Sequence, residues 1–314
     1  METEQIPFTK LKQRGLGHFL RGICMGTADV IPGVSGATIA MITGIYDELI
    51  ATVAGVNTSI LRSVAGGRFL EALTRLNAGF LVPLLAGVAV AFLSLAELIT
   101  YLLVTHPKPL WGFFTGLVLA GALFVARHIK AWNLVLGLAL VLGVGIGYGV
   151  TVLVPMETGT ETYKFVLAGM IAIVAMILPG ISGSFLLVIM GKYGQVMRAV
   201  HEFDLGILIF FGIGFSGGIL AFSRVLKFLL ARYQALTMTL LVGLMAGSVR
   251  RVWPFKRYQD ADGQTTDLVT ESYDCILPDH FDGEAVLTVS LMLVGIAAVL
   301  ALERLGRTAG VEQG

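Results

Sequence analysis

Charge is what this sequence has least of. Only 14% of its 314 residues are Asp, Glu, Lys or Arg, whereas 56% are hydrophobic and the mean hydropathy is +0.83. A soluble domain is nearer ~25% charged, so most of this chain must lie in lipid, as in a polytopic membrane protein. Cysteine is nearly absent. Cys24 sits in an apolar run and Cys275 in a polar loop, which excludes a disulfide framework. The histidines and cysteines show no zinc or haem spacing, so no cofactor is expected. A P-loop is missing, which excludes ATP-driven pumping by this chain alone. A basic stripe interleaved with aromatics is missing too, as is a soluble domain to carry one, so no nucleic-acid partner is expected. The opening METEQIPFTKLKQRG is polar, and the apolar run after it carries Arg21 and Asp29 and lacks a cleavage site. No cleavable signal peptide is expected there.

What is present is a motif that occurs twice. Residues 30–50 read VIPGVSGATIAMITGIYDELI and residues 177–197 read ILPGISGSFLLVIMGKYGQVM. At an offset of 147 they share Pro32/Pro179, Gly33/Gly180, Ser35/Ser182, Gly36/Gly183, Ile42/Ile189, Gly44/Gly191 and Tyr46/Tyr193. Each P-G-x-S-G interrupts a long apolar stretch. Two interrupted apolar segments in corresponding positions of two halves are the best sequence pointer to a transporter binding site.

Apolar segments fall near 17–54, 78–105, 110–126, 132–154, 163–197, 205–223, 235–249 and 285–302, with an interrupted segment first in each half. A spanning helix needs about 20 apolar residues. Segments 110–126, 235–249 and 285–302 are near the short limit. Pro disfavours helix at the residue before it, and Gly permits a sharp turn, so each interrupted segment reads as a kinked span or a re-entrant hairpin. Charge decides between them. With both segments re-entrant and the N-terminus cytoplasmic, 14 of the 22 Lys and Arg fall on the cytoplasmic side. If each segment crossed once, Arg62, Arg68 and Arg75 would move outside, against the positive-inside rule. The expected fold is therefore all-α, an inverted-topology repeat with two re-entrant hairpins and about six full spans. Residues 1–157 form the first repeat. Residues 158–314 form the second, including an external polar loop at 253–284, which reads as solvated with a short hairpin around QTTDLVTES. Both termini are expected to be cytoplasmic.

The motif restarts a helix after each P-G, with Ser35 or Ser182 placed as N-cap. The first N–H groups of the new helix lack intrahelical partners and carry partial positive charge, which suits an anion. Gly33, Gly36, Gly180 and Gly183 let a ligand approach the backbone, and Thr38 and Ser184 add hydroxyls. Close packing of small residues at a tight turn is the competing account, favoured less because the motif is doubled. Asp29 and Glu97 lie at membrane depth, where an ionisable side chain is a functional candidate by default. Either carboxylate suits proton or sodium coupling, or is simply paired within the fold. Arg21, near a segment end, is placed to draw in a phosphate, with snorkelling as its plainer role. Tyr46 and Tyr193 are read as interfacial anchors.

GTADVIPGVSGATIAMITGIYDELI, followed by LPGISGSFLLVIMGKYGQV, resembles the PopT-type family of bacterial undecaprenyl phosphate translocases. The resemblance covers the whole chain, including G-L-x-x-A-G at 116–121 and GLMAG at 243–247. It implies return of a polyprenyl phosphate carrier lipid across the bacterial cytoplasmic membrane for reuse in cell-envelope synthesis. It carries over Asp29, Pro32, Gly33, Ser35, Gly36 and Thr38, with Pro179, Gly180, Ser182 and Gly183. The second copy has Met176 in place of Asp29, so the repeats are not chemically equivalent. Two rival functions stand beside it. A membrane polyprenyl pyrophosphate phosphatase needs an arginine in the motif and clustered glutamates, and neither is here. A secondary transporter of a small soluble anion has the same backbone requirements. The partners expected are a polyprenyl phosphate lipid and the membrane.

Overall fold

The computed structural model describes residues 8–31, 34–129, 131–153, 158–159, 161–259, 272–278 and 280–311. The described chain is nearly all helix. It opens with α1 (Phe8–Val30), α2 (Gly36–Ile42), α3 (Tyr46–Ala54), α4 (Thr58–Ala65), α5 (Phe69–Arg75), α6 (Ala78–Thr105), α7 (Pro107–Arg127) and α8 (Leu134–Thr151). It continues with α9 (Thr162–Ile177), α10 (Gly183–Ile189), α11 (Tyr193–Glu202), α12 (Leu205–Arg232) and α13 (Gln234–Val252). A two-stranded antiparallel ribbon, β1 (Lys256–Gln259) and β2 (Ser272–Cys275), precedes α14 (Gly283–Val311).

Six of these helices are long and apolar enough to cross a membrane: α6, α7, α8, α12, α13 and the Gly283–Ala301 part of α14. The segments that looked short in sequence are completed by polar or proline residues at their ends. Pro107 and Pro109 open α7, where a missing N–H costs nothing. Asn133 and Asp204 cap α8 and α12 by accepting from Leu136 N and Ile207 N at 2.9 and 3.3 Å. α6 is 28 residues, about 42 Å of helix at ~1.5 Å per residue, and so exceeds a ~30 Å hydrocarbon core.

The interrupted segments are the expected helix–break–helix units. α2 and α10 have seven residues each, about 10 Å, a third of the core thickness. Each ends in the same turn. Gly44 and Gly191 sit at φ +71° and +63°. Ile45 N donates to Ala40 O at 2.9 Å, and Lys192 N to Leu187 O at 2.8 Å. That six-to-one bond closes a helix end and needs a residue in the left-handed region, which glycine occupies without a Cβ penalty. α3 then leaves α2 at 119°. The first hairpin is thus bent back rather than continued as one rod.

Packing shows how the halves are related. α1 packs on α6 and α9 on α12, within each half. α7 packs on α14 and α8 on α13, between halves. Exchanging the halves turns one inter-half pair into the other, the signature of a two-fold relation. Individual contacts obey it. A Cβ on Gly22 would collide with Leu84 O, and one on Gly169 with Phe211 O. One on Gly116 would collide with Met292 O, and one on Gly243 with Leu140 O. The first pair maps by 147 residues on α1/α9 and 127 on α6/α12. The difference is the insertion of α4 and α5, which have no counterpart between α11 and α12.

The polar loop at 253–284 differs from its reading in one respect. A hairpin exists, but its strands are 256–259 and 272–275, which flank the acidic tract; most of QTTDLVTES lies outside the described residues. Arg250 anchors the ribbon by donating to Tyr273 O at 2.6 Å and to Thr151 O at 3.0 Å.

Candidate functional site

The two interruptions meet. Ser35 Oγ donates to Leu178 O at 3.4 Å, and Gly180 N donates to Thr38 Oγ1 at 3.0 Å. Tyr46 Oη donates to Ile177 O at 3.0 Å. All three bonds join residues of the first motif to the second. Thr38 and Ser35 are fully buried, and a buried polar group of this kind must find a partner or cost about 1–3 kcal/mol. Gly180, at φ +87°, is pressed so closely on Met245 Cα that no side chain fits.

Beside the meeting point lies a cavity of about 510 Å³. Its floor carries Asp29, Ser35, Ser182, Gly183 and Ser184, from both motifs. One wall is α6, through Phe92, Ala96 and Thr100; the other is the second hairpin, through Val188, Tyr193 and Met197. A few polar groups at the bottom of an apolar slot suit a ligand with a polar head and an apolar body.

The first helix start is already supplied with an acceptor. Asp29 Oδ1 accepts from Gly36 N at 2.6 Å, and Ser35 Oγ accepts from Ala37 N at 3.2 Å. A Cβ at Gly36 would run into the Asp29 carboxylate, so this glycine is required by a side chain of its own half. The second helix start has no such acid. Gly183 abuts Met176, which stands 147 residues after Asp29. Ser182 makes no capping bond and shares a hydrogen bond with Ser184 Oγ at 2.9 Å instead. The two starts are alike in shape and differ in charge.

The other sequence candidates are placed as follows. Pro32 and Gly33 lie outside the described residues. Arg21 is on α1, eight residues before Asp29 or about 12 Å along the axis, half-buried and not on the cavity wall. Glu97 is exposed on α6, next to the wall residue Ala96 but not on the wall itself. Tyr46 departs from its reading as an interfacial anchor: it is 2% exposed and ties the two halves together. Tyr193 is 41% exposed and lines the cavity. Sequence reasoning missed the wall of α6. Phe92, Ala96 and Thr100 recur at four-residue spacing, one helical face, but α6 is apolar all round and no polar contrast marks that face.

Residues 25–269 match the family described as undecaprenyl phosphate translocase-like. The chain is similar to a polyprenyl-phosphate transporter of Vibrio cholerae serotype O1, with 40% identity over 299 residues that cover 92% of this chain and 96% of the relative. It is also similar to a polyprenyl-phosphate transporter of Staphylococcus aureus, with 33% identity over 258 residues, 76% of this chain and 86% of the relative. No solved structure matches it. With the family matched over most of its length, and with a doubled, interrupted helix at the centre of a six-span fold, the chain belongs to the undecaprenyl phosphate translocase-like family.

Proposed function

We propose that this protein carries a polyprenyl phosphate, undecaprenyl phosphate in the family's description, across the bacterial cytoplasmic membrane by alternating access. The observation that carries the reading is an inequality between two equivalent places. On one side α3 packs on α12, α2 is buried along its whole length, and Arg224 of α12 donates to Val56 O at 2.6 Å. On the other side the corresponding elements, α11 and α6, stand apart with the cavity between them. Ile50 is 2% exposed, whereas Met197, 147 residues later, is 39% exposed. One gate is shut and its twin is open, as expected for a repeat pair that rocks about a fixed site.

Three spans separate the two hairpins, an odd number, so under the positive-inside assignment the halves are inverted and the open gate faces outward. The phosphate head enters between α6 and α11 and reaches Ser35, Ser182 and Ser184, while the isoprenoid tail stays in lipid beside the apolar wall. Asp29 and a phosphate carry like charge. Binding therefore couples to protonation of Asp29, or to its withdrawal from Gly36 N. That coupling accounts for a carboxylate in one half only. The motif contains no arginine and Glu97 has no acidic neighbour on α6, which supports carriage over hydrolysis.

The test is lipid return in cells or proteoliposomes, with phosphate release from polyprenyl pyrophosphate measured alongside. Ser35→Ala and Asp29→Asn are each expected to slow return by about tenfold or more at unchanged expression, roughly one lost charge-assisted or buried hydrogen bond. Normal return in both variants removes the site assignment. Ser35-dependent phosphate release would replace transport with hydrolysis.

A further inference from the structure

The recurrence of tyrosine and serine in the motif has a structural use that substrate contact does not explain. Tyr46 Oη is bonded to Ile177 O, and Ser35 Oγ to Leu178 O. Moving each group by 147 residues gives the mirror bonds: Tyr193 Oη to Val30 O, and Ser182 Oγ to Ile31 O. Neither is made here. Tyr193 and Val30 instead line the same open cavity, and Ser182 is turned to Ser184. The donors are retained in both halves, yet only one set bonds to the opposite half.

We infer that Tyr46 and Tyr193 are alternating latches, positioning residues that each hold one gate shut by bonding to the helix end of the opposite half. In the state seen, Tyr46 is locked on Ile177 O and the α3–α12 gate is closed. When the second hairpin swings onto α6, Tyr193 takes Val30 O, Ser182 takes Ile31 O, and the Tyr46 bond breaks. The exchange conserves hydrogen bonds: each state makes one tyrosine latch, and the acceptor is a backbone carbonyl of the last residue of a helix of the opposite half in either case. The two states then differ little in free energy, which a carrier needs in order to cycle. Thr38, which accepts from Gly180 N, is matched by Phe185 and has no mirror. That unmatched bond biases the resting protein toward the state seen.

The inference rests on the alternating-access reading, and the experiment separates the two. With Cys24→Ser and Cys275→Ser as background, spin labels at Leu98 and Val200 report the α6–α11 gate, and labels at Ala51 and Lys227 report the α3–α12 gate. Distances are measured in nanodiscs with and without undecaprenyl phosphate. Tyr46→Phe is expected to raise the population with the α6–α11 gate closed by roughly fivefold, the factor of one buried neutral hydrogen bond. Tyr193→Phe is expected to lower that population by a similar factor. Opposite shifts support the latches, because loss of general stability would not move two equivalent positions in opposite directions. Two populations that neither substitution alters, or that both shift the same way, overturn the latches and leave alternating access standing. A single fixed distance at both gates in the unsubstituted protein, with and without lipid, overturns both.

Discussion

At the scale of residues, the most informative contact is the one between Asp29 and Gly36. The carboxylate was legible in the sequence as an ionisable group at membrane depth. Its partner was not, because the six residues between them contain the helix-interrupting Pro32 and Gly33, and no local rule fixes how two helix ends across such an interruption meet. The same holds for Tyr46, whose bond partner lies 131 residues away. Outside the spans, Lys256 is among the groups whose protonation the fold shifts, and its shift is large. Burial, reinforced by Arg251, pushes its amine down to about 7 from an ordinary 10.5. It lies over the rings of Trp111 and Tyr273 at 4.8 Å and donates to Arg251 O at 2.7 Å. The folded value is below the unfolded one, so between these two values the unfolded chain binds more protons. Stability from this group therefore rises as pH rises from about 7 toward 10.5, and its penalty is complete below 7. Lys256→Met is expected to raise the thermal midpoint most at pH 6, with the advantage shrinking by pH 10. Tryptophan fluorescence during heating in detergent measures both.

At the scale of elements, the hairpins were legible and the helix contacts were not. Proline and glycine inside apolar stretches forced breaks at 32–36 and 179–183, and the structure has helix ends on both sides of each. Gly44 and Gly191 were visible as repeats, and their positive φ explains why glycine suits both places. Which glycines sit at helix crossings was hidden, because many of the 39 glycines lie in long apolar helices with little polar contrast to orient them. Gly116 and Gly145 illustrate the difference. A Cβ on Gly116 would strike Met292 O of the other half, whereas one on Gly145 meets open space. Gly116→Leu is expected to cost about 3 kcal/mol or more through overpacking against backbone, and to abolish accumulation of folded protein. Gly145→Leu is expected to behave like the unsubstituted chain. Size-exclusion profiles of the two variants from matched expressions provide the comparison.

At the scale of the whole molecule, two similar halves are held in unlike states. α3 packs on α12, whereas a cavity lies between α6 and α11, and in the proposed cycle these are the shut and the open gate. If the open gate faces outward, Met197→Cys in a cysteine-free background is expected to react with a membrane-impermeant maleimide added outside intact spheroplasts. Ile50→Cys is expected to resist from both sides. Labelling of Met197→Cys only in inverted vesicles would reverse the topology. The sequence by itself determined that the chain lives in lipid, since so few charges cannot coat a soluble surface. It also determined that two apolar segments break, since proline removes a donor and glycine removes the barrier to turning, and that the breaks are duplicated. Only the tertiary structure decided that they touch, that Asp29 caps the first helix start, and that one hairpin is docked while its twin is not. Local sequence sets the turn within a hairpin. Docking depends on carbonyls and helix faces supplied by the opposite half, and for two nearly equivalent segments those contacts differ by only a few hydrogen bonds.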